Sequence, residues 1–440
     1  MTPEKEPVVR IPLRRTGSRL LFSLAILLFA AMFILSVCKL SLADRYGHST
    51  NPQSWLRAAR LEPRNSEYWR QLGLYEEWDL KHGNPSRAAV ELERAVELDP
   101  WSDAYWMDLA NIDEALGKAK AATAAYHQAE LAYPASPEVS WQLGSFLLRQ
   151  KDFRGASAYV RRAIVTDPNL TVPALALCTR TGQPVSSIFE DILPAQSGYY
   201  LAALDYFISQ KNRDAALESW RRLLGLGASL QMSSSFALVD ELIREDRISE
   251  ASEIWGQALH KSNWPVDGSQ KASLVFNGGF EHDILNGGFD WRTLPTSGAA
   301  FQLDSSVAHL GTRSMRITFD GSANLDFQNL SELVPVQPGH QYHFSAYLRT
   351  RGITTDSGIG FLVFDPLHSA IPQASTPTLI GTHPWTLIEM DISTASDTNI
   401  IEIALRRKPS WKFDNKLSGT VWVDDVTLVP FGAADKRASP

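Results

Sequence analysis

Residues 274–291 read LVFNGGFEHDILNGGFDW. An Asn-Gly-Gly-Phe-acid unit stands at residues 277–281 and returns at 286–290. Paired glycines of this kind can cradle a phosphate, shape a ligand turn or let a chain turn tightly into a sheet. A phosphate loop needs a strand before the glycines and a helix after them. The residues downstream instead alternate with period two, the signature of strands. The two units therefore read as turns at the start of a β domain, where glycine tolerates backbone angles closed to other residues.

The alternation is clearest at residues 340–350, HQYHFSAYLRT. Tyr342, Phe344, Ala346 and Leu348 share one face, and His343, Ser345, Tyr347 and Arg349 share the other. Residues 399–406 repeat the pattern with Ile401, Ile403 and Leu405. Further strand-like runs lie at 300–303, 314–319, 325–334, 359–364, 385–392 and 420–429. Pro and Gly clusters such as VQPG at 336–339 separate them. Some nine short strands with turn signals predict a β-sandwich, with Trp291 and Trp385 in its core.

Upstream the period changes to that of helices. Trp69, Leu72 and Gly73 are matched by Trp106, Leu109 and Ala110, and by Leu143 and Gly144. Each set is followed by a small–large–small–proline series: Ala88, Leu92, Ala95, Pro100; then Ala122, Tyr126, Ala129, Pro134; then Ala156, Val160, Ala163, Pro168. Small residues let paired helices approach, large ones fill between them, and proline stops the second helix. Trp55, Ala58 and Pro63 look like the second helix of an earlier half-repeat. Looser copies hold Tyr200, Phe207, Ala216 and Trp220, then Leu238, Leu242, Ala251 and Trp255, and residues 170–197 are irregular.

This series resembles the tetratricopeptide repeat, a 34-residue helix–turn–helix. The resemblance implies a protein-binding groove lined by the first helix of each repeat. Carried onto this chain, that groove holds Arg70, Leu74 and Trp78; Met107, Asn111 and Glu114; and Trp141, Ser145 and Arg149. Trp78 and Trp141 serve equally well as packing between neighbouring repeats.

At the start, Arg10, Arg14, Arg15 and Arg19 precede residues 20–38, an uncharged apolar run closed by Lys39. A helix of that length just covers a hydrocarbon core of roughly 30 Å. The basic excess places the N-terminal side in the cytoplasm and the rest of the chain outside. An inner-membrane signal anchor is the expectation. A cleaved signal peptide is its rival, because Ser41-Leu42-Ala43 resembles a cleavage site. Leu35 to Cys38 also resembles a lipoprotein box, although Val37 is larger than the usual residue there.

The chain carries a net charge of −7, and its only basic cluster is that tail, so nucleic acid is not expected as a partner. Cys38 and Cys178 lie far apart and make neither a disulfide framework nor a zinc site. No His-Glu-x-x-His and no Gly-x-Ser-x-Gly occurs. Glu281-His282-Asp283 reads as a solvated loop rather than a catalytic base.

One ordered series remains: Asn-Gly-Gly-Phe-Glu, Trp291, Gly311-Thr-Arg-Ser314, Val-Gln-Pro-Gly-His-Gln-Tyr342, Trp385 and Val421-Trp-Val-Asp-Asp-Val426. It resembles the jelly-roll carbohydrate-binding modules of families 4 and 9, within the galactose-binding-like fold. The resemblance implies a structural calcium held by Glu281 with Asp424 or Asp425, and a carbonyl near Gly311; oxygen ligands suit that ion. Alternatively, the two aspartates end a ladder in solvent. It also implies glycan recognition through aromatic and planar polar groups, for which Gln328, Tyr347, Arg349, Arg406 and Trp411 are the candidates.

The expected organisation is multidomain. A basic tail (1–19) and a single transmembrane helix (20–38) lead to an all-α tetratricopeptide-like solenoid (48–261). A linker (262–272), an all-β jelly-roll sandwich (273–430) and a short tail (431–440) come after it. Two function classes fit: a membrane-anchored, non-catalytic adaptor in exopolysaccharide or cell-envelope assembly, and a polysaccharide-acting enzyme of the glycosidase class, which would need two carboxylates across a cleft.

Overall fold

In a computed structural model of the chain, the described residues are 16–49, 51–78, 83–265, 273–368 and 374–431. They fall into two compact units, Met1–Pro194 and Ala195–Pro440.

The first unit is helical. Helix α1 spans Thr16–Gly47 and contains the apolar stretch Arg19–Gly47, long and apolar enough to cross a membrane. The helix continues past its uncharged run, which ends at Cys38. Its last turns pair with α2 (Pro52–Leu61), burying Ala43 against Ala58 and Ala59. The half-repeat at Trp55 thus has a first helix, supplied by the end of α1.

Helices α3 (Ser66–Trp78) and α4 (Pro85–Leu98), α5 (Asp103–Ala115) and α6 (Ala119–Ala132), and α7 (Pro137–Arg149) and α8 (Phe153–Thr166) form the three strong repeats. Each second helix stops two residues before Pro100, Pro134 or Pro168. Asn84, Ser136 and Asp152 cap their helices by accepting from Arg87, Val139 and Gly155 N–H groups. Ala88, Leu92, Ala95, Ala122, Tyr126 and Ala129 are fully buried. At Gly73 a Cβ would lie 2.6 Å from Leu92, and at Gly144 one would lie 2.9 Å from Val160. The pairs are this close because those positions carry no side chain.

The irregular stretch holds one regular helix that its prolines hide, α9 (Thr171–Thr181), which ends at left-handed Gly182. Pro173 falls in its first turn, where the missing N–H has no helical partner to lose. A short turn, α10 (Val185–Ser187), then runs into a π turn at Ile188–Ile192.

The second unit joins α11 (Ser197–Ser209), α12 (Arg213–Gly225), α13 (Phe236–Arg244) and α14 (Ile248–Lys261) to a β-sandwich. Its strands are β1 (Arg292–Thr293), β2 (Ala299–Asp304), β3 (Ser314–Asp320), β4 (Phe327–Pro335), β5 (Gln341–Ile353), β6 (Gly360–Phe364), β7 (Ala374–Ser375), β8 (Gly381–Ser393), β9 (Ile400–Arg407) and β10 (Ser418–Pro430). They pair as two antiparallel sheets, β1-β4-β9-β6-β7 and β2-β3-β10-β5-β8. The alternation holds: Tyr342, Phe344, Ala346 and Leu348, with Ile401, Ile403 and Leu405, form the core beside Trp291 and Phe280. Trp385 departs from expectation. It lies half-exposed on the outer face of its sheet, edge-on to His309, because Ile388 and Ile392 occupy the inward phase of β8.

Both Asn-Gly-Gly-Phe units are turns. Asn277 and Asn286 adopt left-handed φ angles of 50° and 57°. The Asn277 side chain closes its loop by accepting from His282 N–H and donating to His282 C=O. Gly278 lies against the last strand, where a Cβ would collide with the Val426 carbonyl. The second unit faces the helices: a Cβ on Gly287 would run into Phe236, and one on Gly288 would run into Trp255. Trp255 also meets Phe276 and Phe289 edge-on, and Arg292 pairs with Asp240 of α13 at 2.7 Å.

Gly288→Ala should therefore destabilise the second unit by about 1–3 kcal/mol, combining a collision with strain at positive φ. Urea denaturation followed by tryptophan emission reads the change, and an unaltered midpoint would contradict this packing.

Candidate functional site

The groove predicted on the first helices is bridged by ion pairs. Arg70 donates to Asp108 at 2.6 Å and lies over the Tyr105 ring. Arg149 grips Glu114 with two hydrogen bonds of 2.7 Å. These pairs link α3 to α5 and α5 to α7, so consecutive first helices present one continuous face. Asn111 accepts from Tyr126 at 2.6 Å. Leu74, Met107 and Trp141 are half-buried, and Ser145 is buried. The Trp78 side chain lies outside the described residues.

On the sandwich, the five predicted glycan residues do not meet in one place. Tyr347 and Arg349 lie on β5, in the sheet that contains β10. The segment between β2 and β3 folds over that face and stacks the His309 ring on Tyr347, with centroids 3.6 Å apart. One face of Tyr347 is therefore covered. Arg349 and Arg351 both stack on Trp422, at 5.5 and 5.2 Å.

The acids proposed for calcium border the same segment. Asp424 is fully buried and accepts from His309 N–H at 2.7 Å. Asp425 meets His309 Nδ1 at 2.6 Å, at a bulge in β10 where the register shifts between Asp424 and Thr427. Burial, aided by the neighbouring Asp425 charge, pushes the Asp424 carboxyl up to about 6. Glu281 holds the segment's other end, accepting from Thr312 N–H at 2.9 Å and Thr312 Oγ1 at 2.5 Å. A Cβ on Gly311 would strike that carboxylate. Among the described residues no group of three or more His, Cys, Asp or Glu side chains is arranged to hold a metal.

Gln328 and Arg406 belong to the other sheet, on β4 and β9. Arg406 pairs with Asp326 and donates to the Phe327 carbonyl at 3.2 Å. It borders a cleft of about 380 Å³ together with Asp356, Ser357, Thr376, Thr378 and Lys408. Beside this cleft rises the loop carrying Trp411, which is 100% exposed, and Phe413. The base of that loop is fixed. The Ser410 hydroxyl donates to Asp356 at 2.5 Å and accepts from Lys412 N–H at 3.1 Å, while Asn324 donates to the Ser410 carbonyl at 2.9 Å. Buried Arg407 donates to Asn324, the Leu325 carbonyl and Thr355. Sequence reasoning misses Asp356, Lys408 and Arg407. The alternation of β9 puts Arg407 in phase with Ile403 and Leu405, a signal that an inward arginine anchors the strand end.

Residues 272–406 match the family model for the carbohydrate binding domain of families 4 and 9. Trp411, Asp424 and Asp425 lie beyond the matched stretch. No curated protein matches the chain. Among solved structures, one described as "CBM4 structure and function" is 16% identical, covering 36% of this chain and 99% of its own, with a TM-score of 0.28. The crystal structure of MamA is 16% identical, covering 40% and 85%, with a TM-score of 0.26. YrrB, described as a TPR protein with an unusual peptide-binding site, is 12% identical, covering 49% and 95%, also with a TM-score of 0.26.

Two further acids sit behind the turns. Asp290 is fully buried, accepting from Leu285 N–H at 2.5 Å through one oxygen. Burial pushes its carboxyl up to about 7. Glu332 accepts from Phe276 N–H at 2.6 Å, and burial, reinforced by Asp290, raises it well above the ordinary range. Each acid keeps one oxygen without a protein partner. A raised folded pKa means the folded state holds a proton that the unfolded state has released. The resulting stability is present below the unfolded pKa near 4 and is lost as pH rises toward 7. Asp290→Asn should flatten the fall in melting temperature between pH 4.5 and 7.5, which differential scanning fluorimetry would show.

Proposed function

We propose that this chain is a membrane-anchored, non-catalytic adaptor. Its helical repeats hold a protein on the face bridged by Arg70–Asp108 and Glu114–Arg149. Its sandwich takes a glycan in the cleft beside Arg406. The anchor is the apolar stretch of α1, with its N-terminus in the cytoplasm and the bulk of the chain outside the inner membrane. Exopolysaccharide or cell-envelope assembly is the setting this combination suits.

The match of residues 272–406 to a carbohydrate binding domain carries the reading. The cleft chemistry agrees with it. Arg406 and Lys408 donate, Asp356 accepts, and Ser357, Thr376 and Thr378 do both, as a polyhydroxyl ligand requires. Tyr347 and Arg349 sit on the other sheet, so any part they take belongs to a second contact. An exposed cleft of this kind would bind at millimolar to micromolar strength, about −4 to −8 kcal/mol. In affinity electrophoresis of the full chain in detergent, polysaccharide should retard migration and Arg406→Ala should relieve the retardation. No retardation by any glycan would remove the sugar reading and leave the sandwich as a protein-docking module.

A calcium ion is proposed at Asp424 and Asp425, the neighbouring carboxylates at the β10 bulge, while Glu281 is held by Thr312 instead. When bound, the ion would neutralise the buried Asp424 charge and brace the segment against β10. Calcium should then raise the melting temperature, since a ligand of the native state alone stabilises it. Asp424→Asn should abolish that rise, and a melt indifferent to chelators would remove the metal.

A further inference from the structure

We infer that α2 and the turn after it form a collar that binds anionic lipid headgroups at the point where α1 leaves the membrane. The inference rests on the proposed membrane anchor and goes beyond it by assigning a lipid class to residues outside the apolar run.

Geometry fixes the height of the collar. The uncharged run ends at Cys38, yet α1 continues unbroken to Gly47. Ala43, the residue buried against α2, lies five residues beyond Cys38, a rise of about 7 Å. The link between the helices is short, so α2 folds back antiparallel along α1. Ten residues of α2 span about 15 Å, and stepping back that far from Gly47 reaches the level of Cys38 and Lys39. The C-terminal end of α2 therefore lies at headgroup depth. The packing is close: the Tyr68 ring lies where a Cβ on Gly47 would stand, so α3 rests directly on the end of α1.

Charge selects the ligand. Arg57 and Arg60 stand three apart on the exposed side of α2, and exposed Arg64 follows in the turn. Lys39 and Arg45 add two exposed cations on α1. None of the five has an ion-pair partner among the described residues. The nearby acids are engaged elsewhere: Asp44 with His48, Glu62 with Asn65, and Glu67 with Arg70 and Tyr105. Arg57 lies 5.8 Å over the Tyr46 ring, and half-buried Trp55 stands on the same helix. Cations held near a bilayer surface attract anionic headgroups, and the Tyr46 ring steadies the Arg57 guanidinium against α1. A phosphate diester on a lipid is within reach here in a way that a soluble anion, free to diffuse from an exposed arginine, is not.

The test uses the full chain, incorporated into vesicles of equal phosphatidylglycerol and phosphatidylcholine. After gentle detergent extraction, the retained lipids are measured by mass spectrometry. Wild type should retain phosphatidylglycerol over phosphatidylcholine by at least about fivefold, the factor that one surface arginine contributes on an anionic bilayer. The triple change Arg57→Gln, Arg60→Gln and Arg64→Gln should bring the ratio to that of the bulk. The matching triple change to Lys should keep the enrichment, and circular dichroism of both verifies folding. A chain that sediments with vesicles but retains both lipids equally overturns the collar and leaves the anchor standing. A chain that does not sediment with vesicles overturns both.

Discussion

The structure depends on backbone approaching where no Cβ intervenes. Gly73 admits Leu92 and Gly144 admits Val160 within the repeats. Gly278 admits the Val426 carbonyl within the sandwich, and Gly288 admits Trp255 between the last helix and the sandwich. Each site converts a missing side chain into a contact that aligns whole elements. Such contacts are rigid, because interiors are packed to crystal-like density and have no slack to take up a displaced ring. The sandwich is thus seated on α13 and α14 by the same device that pairs the helices of a repeat. The Arg292–Asp240 pair and the Asn399–Asp246 hydrogen bond of 2.8 Å hold the edges of that seat.

Against this packing stands a set of buried charges. Asp290, Glu332 and Asp424 are all withdrawn from water, and burial raises all three carboxyls. Their surroundings differ. Asp290 and Glu332 lie behind the turns with few donors, so protonation is their resolution. Asp424 faces backbone N–H groups of the segment over the sheet and a second carboxylate at Asp425. The His309 N–H offsets part of its charge while Asp425 adds to the cost, since a bare carboxylate in a dry interior is expensive.

The solenoid and the sandwich were legible because their signals are local. Proline at the end of each second helix, small residues at fixed offsets and period-two alternation all act within a dozen residues. The two Asn-Gly-Gly-Phe turns were legible for the same reason. What escaped was decided by residues far away in sequence. Tyr347 looked like an open platform because alternation turns it outward, but His309, brought over it by the segment between β2 and β3, covers one face. Trp385 looked like core because large aromatics usually are, yet the phase of β8 gives the interior to Ile388 and Ile392. The continuation of α1 into the first helix pair was hidden because hydropathy ends at Lys39 while helical geometry does not.

The two sheets of the sandwich differ in what covers them. The sheet holding β5 and β10 is overlaid by the segment at His309, and its outward arginines are spent on Trp422. Asp424 and Asp425 bond His309 and hold that segment to the face. The sheet holding β4 and β9 keeps an open cleft whose rim is polar and whose neighbouring loop carries Trp411 and Phe413 in full exposure on a base fixed by Arg407 and Asn324. Exposed aromatics on a rigid base lose little entropy when they are covered, whereas aromatics on a slack loop would have to be ordered first. The arginine that closes β9, Arg407, also fixes the base of this loop through Asn324.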